Sequence, residues 1–293
     1  MRIMTLRLHA LITGAAFSLL TFCMGALTFP GAAQADGIAK PWQMNFQDAA
    51  SPVMEMIHDF HELLFWIITL ITLFVLALLI YVIFKFNEKA NPVPSKTTHN
   101  TFIEVVWTVV PIIILVVVAV PSFKLLFYMD KHENPDMTLK VTGHQWYWSY
   151  QYPDNGDFGF ASQMVATEDL KPGQPRLLTV DNTVVLPVET NIRILQTSED
   201  VIHNWAMPAF GLKMDTVPGR TNENWVRITK PGDYYGQCSE LCGVGHAYMP
   251  IHVKAVSKEE FAAWVKSAQA KYADSMPEPI PGEATVKVAQ VKD

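Results

Sequence analysis

The segment of the chain best equipped for chemistry is Tyr234-Tyr-Gly-Gln-Cys-Ser-Glu-Leu-Cys-Gly-Val-Gly-His-Ala-Tyr-Met249, which gathers Cys238, Cys242, His246 and Met249 within twelve residues. Two soft thiolates, an imidazole and a thioether match copper. Zinc takes Cys and His but seldom Met, whereas Met recurs as a weak copper ligand in electron-transfer sites. His203, in the turn-like Glu199-Asp-Val-Ile-His-Asn-Trp205, is a fifth candidate; one His on a distant strand end and the rest on a single loop is how a β-sandwich builds a closed copper site. Taken alone, Cys238 and Cys242 read equally well as a disulfide, because an exported domain is oxidised and the count is even. The company of His246 and Met249 turns the reading to metal. A single blue-copper centre needs one Cys, two His and a Met, so two Cys, two His and a Met exceed one ion's demand. Two copper ions bridged by both sulfurs use the full set, and sharing one electron hole over two metals keeps redox rearrangement small. His58, His61, His99, His132, His144 and His252 have no such company and read as structural or surface residues.

A second informative segment, Gly143-His-Gln-Trp-Tyr-Trp-Ser-Tyr-Gln-Tyr152, packs five aromatic residues into ten. Most read as strand residues of a core. A Trp beside a redox metal can also conduct electrons inward, and an aromatic patch ringed by carboxylates suits docking.

These residues have to be carried by an unusually apolar chain: half of its 293 residues are hydrophobic, 17% are charged and the mean hydropathy is +0.16. That balance argues against disorder and against an ordinary soluble globule. The net charge of -6 has the wrong sign for nucleic acid and suits a cationic partner. From residue 129 onward 21 acidic side chains face 15 Lys plus Arg, so this part carries the whole excess, either as solubility charge or as a steering surface.

Residues 1–35 read as a cleaved secretory signal, with Arg2 and Arg7 before an apolar stretch from Leu11 to Leu27 and an A-x-A site at Ala33-Gln34-Ala35. The alternative is a retained first helix, which Gly14, Gly25 and Pro30 would interrupt. Cys23 falls inside the signal, and the bulky Phe22 before it argues against a lipoprotein anchor. After a segment at 36–62, Leu63 to Phe84 and Val105 to Phe123 are runs of 22 and 19 uncharged residues, each long enough for a bilayer core and apolar on every face. They predict transmembrane helices over 63–84 and 105–127. Lys85, Lys89 and Lys96 place the loop 85–104 in the cytoplasm and both mature ends outside.

The exported domain, 128–256, reads as β-prone pieces split by turns: Met137 to Tyr152, Arg176 to Val180, Thr183 to Val188, Thr190 to Gln196, Asn224 to Thr229 and Pro250 to Val256. The spacing predicts an antiparallel sandwich or barrel. Ser257-Lys-Glu-Glu260 is a capping box that opens a C-terminal helix within 257–275, and the tail 276–293 reads as disordered.

At GHQWYWSY and GQCSELCGVGHAYMP the chain resembles subunit II of the haem-copper cytochrome c oxidases, from about Phe46 to Trp264. The resemblance implies a membrane-anchored all-β protein: a two-helix hairpin, then a cupredoxin-like Greek-key β-sandwich with a C-terminal helix. It implies two copper ions, with Cys238 and Cys242 bridging, His203 and His246 terminal, Met249 axial and Glu240 contributing its carbonyl. It also implies a magnesium ion at the Glu240 carboxylate against subunit I, Trp146 as the tryptophan that takes up electrons, and Glu104 at the mouth of a proton channel. As a helix N-terminal acid, Glu104 is also explained by the macrodipole alone. Cytochrome c as donor, haem-bearing subunit I, subunit III and a bacterial inner membrane follow from the same likeness. Asp154, Asp157, Asp181, Glu199 and Asp200 fall at acidic docking positions, whereas Gln151, Gly156 and Ala161 stand where some members carry carboxylates, so the docking charge is smaller or redistributed here. A quinol oxidase subunit of the same fold would lack the thiolates, and a free-standing copper carrier would need neither Glu104 nor a partner-facing Glu240.

Overall fold

The computed structural model describes residues 37–130 and 134–273; the expected signal and the tail lie outside the described residues. Two long helices come first, α1 over Pro52–Lys85 and α2 over Thr101–Asp130. Helix α1 starts eleven residues before the apolar run. Ser51, extended at the N-cap, accepts the Met54 N–H at 3.0 Å and Pro52 supplies a pre-set φ with no donor to satisfy. The Ser51 hydroxyl also donates to the Phe210 carbonyl at 2.7 Å, and Ala50 exchanges backbone hydrogen bonds with Ala209 and Thr229. The helix therefore grows out of the β domain.

From Leu63 to Phe84 in α1 and from Val105 to Phe123 in α2 the helices are apolar on all sides, and none of their most hydrophobic windows is buried by protein. Such surface is stable only in hydrocarbon, so this is a membrane protein. Helix α2 keeps Pro111 and Pro121 in its interior and packs against α1. At its far end Tyr128 meets Trp225 edge-on, with ring centroids 5.5 Å apart.

The β domain consists of β1 (Met137–His144), β2 (Tyr147–Tyr152), β3 (Phe158–Ser162), β4 (Val184–Pro187), β5 (Ile192–Ser198), β6 (His203–Met207), β7 (Leu212–Thr216), β8 (Asn222–Val226), β9 (Gly232–Cys238) and β10 (Pro250–Val256). They form two five-stranded sheets, β3-β2-β1-β5-β8 and β4-β10-β9-β6-β7. The expected sandwich is present, but β1 runs parallel to β5 and β4 parallel to β10, so neither sheet is purely antiparallel. The expected strand at Arg176 to Val180 is turn and irregular chain, with only a bridge between Met164 and Val180.

Alternation along β2 and β5 points Trp148, Tyr150, Tyr152, Ile192 and Ile194 inward, where they meet Trp205, Met207, Phe210 and Ile251. Removing one such aromatic side chain costs about 3–5 kcal/mol. Helix α3 (Lys258–Lys271) has the expected reciprocal Ser257–Glu260 capping box, and lays Phe261 and Ala268 on the core while Trp264 reaches Tyr152 and Phe158.

Candidate metal centre

The site is built where β6, β9 and the loop after β9 meet. Trp205 pairs with Cys238 across β6 and β9, which puts the first residue of β6, His203, beside the last residue of β9. Close pairing is possible because Gly236 carries no side chain: a Cβ there would overlap the Ala206 carbonyl oxygen. The loop then brings Cys242, the short turn His246–Tyr248, and Met249, whose carbonyl accepts the Trp148 indole N–H at 3.1 Å.

The donor atoms converge. Cys238 Sγ lies 3.8 Å from Cys242 Sγ and 4.0 Å from His203 Nδ1; Cys242 Sγ lies 3.6 Å from His246 Nδ1 and 3.5 Å from Met249 Sδ. The Glu240 carbonyl accepts from Cys238 Sγ at 3.3 Å. Both cysteines are free thiols, and they, His203 and Met249 are buried; His203, Cys238 and Cys242 present ligand atoms within 4.8 Å of one another. His246 is half-buried at the rim. The set of two thiols, two imidazoles and a thioether fits copper: the sulfurs are soft, unspent on a disulfide, and flanked by imidazole nitrogens aimed at them.

Electrostatics separates the two thiols. Burial alone would push Cys238 up, but hydrogen bonding from His203, the Asn204 and Glu240 backbone and His246 outweighs it and brings the thiol down to about 7. Cys242 is pushed up to about 12, first by burial and then by the negative charge of its neighbour. For His203 burial favours the neutral ring, yet hydrogen bonds to Cys238 and Asp200 raise it above the ordinary value. Its Nε2 is 2.8 Å from Asp200 Oδ1. Burial would raise Asp200, but hydrogen bonds from His203 and from the Val201 and Gln145 amides hold it below the ordinary carboxylate value. Sequence reading missed this carboxylate as a partner of His203; the signal was the three-residue spacing between Asp200 and His203.

Trp146 occupies the tip of the β1–β2 hairpin, next to the site. Its indole N–H donates to the Cys242 carbonyl at 3.0 Å, and the Gln145 amide group donates to the same oxygen at 2.8 Å. The acidic residues do not form one cluster. Glu199 Oε2 is 3.1 Å from His144 Nδ1, close to the tip, and burial outweighs that carboxylate to hold His144 below the ordinary imidazole value. Asp181 accepts the Gln163 amide, just beyond the Ser162 that pairs with Trp148. Asp154 accepts the Thr138 amide and Asp157 the Gln151 side chain, so both lie at the other end of β2, about 17 Å along the strand from the tip. Glu240 exposes its side chain at the site's rim, whereas Glu104 lies in the first turn of α2, at the end of the hairpin away from the metal site.

Comparison with known proteins agrees with this layout. Residues 39–125 match the family described as Cytochrome C oxidase subunit II, transmembrane domain, and residues 137–256 match Cytochrome C oxidase subunit II, periplasmic domain. The probable cytochrome c oxidase subunit 2 of Rickettsia bellii is 56% identical over 227 residues, covering 78% of this chain and 84% of the relative. The cytochrome c oxidase subunit 2 of Arabidopsis thaliana is 48% identical over 235 residues, covering 78% of this chain and 90% of that one. Among solved structures, the periplasmic domain of subunit II of cytochrome oxidase from Bradyrhizobium japonicum is 54% identical, covering 48% of this chain and 99% of its own, with a TM-score of 0.46. With both halves of the family matched along most of its length, the chain belongs to the cytochrome c oxidase subunit II family.

Proposed function

We propose that the chain takes electrons from reduced cytochrome c at a binuclear copper centre and passes them to haem in subunit I of a proton-pumping oxidase, where oxygen is reduced to water. The observation that carries this reading is the convergence of two imidazoles and a thioether on two free, buried thiols. Held by Cys238, Cys242, His203, His246, Met249 and the Glu240 carbonyl, two copper ions would supply a one-electron carrier with its charge shared over both metals. The protein's own contribution is rigidity: the strand pairing fixes His203 and Cys238, the Trp148 hydrogen bond fixes Met249, and burial keeps water out.

Trp146 is the point at which electrons arrive, and the acidic rim with Asp181, Glu199 and Asp200 steers the basic face of cytochrome c, with Asp154 and Asp157 extending the negative field. Glu240 aims its carboxylate at a magnesium ion on the boundary with subunit I. Glu104 stands at the mouth of a proton channel into the same partner, and subunit III completes the core assembly. The copper domain and both mature termini are periplasmic, the signal 1–35 is removed, and the loop 85–104 faces the cytoplasm of a bacterium whose inner membrane holds the hairpin.

Copper analysis with electron paramagnetic resonance on the detergent-solubilised, copper-loaded full chain tests this. Two coppers per chain sharing one unpaired spin are expected. One copper, zinc, or a Cys238–Cys242 disulfide without metal overturns it.

A further inference from the structure

Asp200 sits at the rim where a docking charge would serve, yet its carboxylate is turned into its own chain. Oδ1 lies 2.8 Å from His203 Nε2 and accepts the Val201 N–H at 2.6 Å; Oδ2 accepts the Gln145 N–H at 2.6 Å. Gln145 and Trp146 in turn both donate to the Cys242 carbonyl, and Cys242 faces Cys238, which faces His203. The contacts close a ring: His203, Asp200, Gln145 with Trp146, Cys242, Cys238 and back to His203. One carboxylate thus joins a ligand histidine on β6 to the tip of the β1–β2 hairpin, 55 residues earlier in sequence.

We propose that Asp200 is a positioning residue for the metal centre, holding the His203 ring and the Gln145–Trp146 tip in one fixed register, in addition to the charge it lends the rim. The inference rests on the copper reading above. A neutral imidazole that offers Nδ1 to a metal must carry its proton on Nε2, and a carboxylate at 2.8 Å from Nε2 selects that tautomer, fixes the ring plane and makes the ring a stronger donor. The second oxygen does the equivalent for the hairpin, whose two-residue tip has no strand partner for the Gln145 amide. Four donors from its own chain engage the carboxylate, the fourth being the Ser198 hydroxyl at 3.3 Å from Oδ1, so its orientation is set from within.

The test uses the whole oxidase carrying Asp200→Asn or Asp200→Ala. Asn keeps the shape but cannot accept at both ends. The expected result for D200N is a raised reduction potential of the copper centre, because a weaker His203 donor favours the reduced metal, together with an altered copper hyperfine pattern. For D200A, copper retention against a chelator should fall about 10–100-fold. If both variants keep the wild-type potential, spectrum and copper retention and only the KM for cytochrome c rises, with a shallower salt dependence, Asp200 is a docking charge alone and the proposal fails. Should D200A not assemble, the potential and spectrum of D200N decide alone. Lack of copper in the unmutated oxidase would instead sink the copper reading, before any variant is made.

Discussion

Gly245 lies so close beneath Trp146 that a Cβ on it would overlap the Cγ and Cδ2 atoms of the indole. Its φ of -92° is open to any residue, so the demand for glycine is one of space alone. Gly245→Ala should displace the indole or the loop, at about 1–3 kcal/mol for overpacking. The expected result is at least several-fold slower oxidation of cytochrome c in stopped-flow, with copper content near two per chain; an unchanged rate would detach Trp146 from electron uptake.

The unequal thiols give a second prediction. In the metal-free, reduced chain Cys238 is lowered to about 7 and Cys242 raised to about 12. Only the thiolate is nucleophilic, so alkylation by a small reagent at pH 8 should modify Cys238 first, and its rate should fall as the pH drops through 7. Peptide mass spectrometry reads both sites; preferential modification of Cys242 would contradict the electrostatics of the loop.

Met249 is buried, with its sulfur 3.5 Å from Cys242 Sγ and its carbonyl tied to Trp148. Met249→Leu conserves volume and should cost under about 1.5 kcal/mol in stability. It should nonetheless shift the visible spectrum and potential of the copper centre, since it removes a sulfur donor without disturbing the backbone. A wild-type spectrum in a folded, copper-loaded variant would place Met249 outside the ligand set.

Strand pairing at the site can be broken with one methyl group. Gly236→Ala drives a Cβ into the Ala206 carbonyl oxygen and toward Met207 Sδ at 2.6 Å, and backbone cannot yield as a side chain can. A loss of about 3 kcal/mol is expected, read as a lowered thermal midpoint and poor copper retention; a wild-type midpoint would show that β6 and β9 can separate at no cost.

Orientation is testable on the loop between the helices. If the proposed cytoplasmic placement of Lys85, Lys89 and Lys96 holds, position 95 of a Ser95→Cys variant in intact spheroplasts should resist a membrane-impermeant maleimide, read by peptide mass spectrometry apart from Cys238 and Cys242, and react only after the membrane is opened. Labelling at position 95 in intact spheroplasts would invert the topology.

The features legible in the sequence were those written in local chemistry: the ligand-rich loop, the apolar runs and the Ser257–Glu260 box. Strand β6 was not, because His203–Met207 is buried on every residue and shows no alternation, so its start read as a turn. Nor was the true start of α1, because the tie of Ser51 to Phe210 is tertiary. The parallel pairings of β1 with β5 and β4 with β10 depend on chain crossings that hydropathy does not encode. The role of Asp200 lay hidden for the same reason, since its second partner, Gln145, is brought to it only by the fold.

The upper part of α1 has a mechanical meaning. Between Pro52, bolted to the β domain through Ser51, and Leu63, where the apolar run begins, eleven helical residues make a stiff post about 16 Å tall. Height and azimuth of the metal loop over the bilayer are thereby indexed to helix phase. Deleting a single residue from the post would lower the domain by about 1.5 Å but swing it by about 100° around the helix axis. The ligand-rich loop would then be aimed at lipid or away from the proposed partner, with Cys238, Cys242, His203, His246 and Met249 still in place.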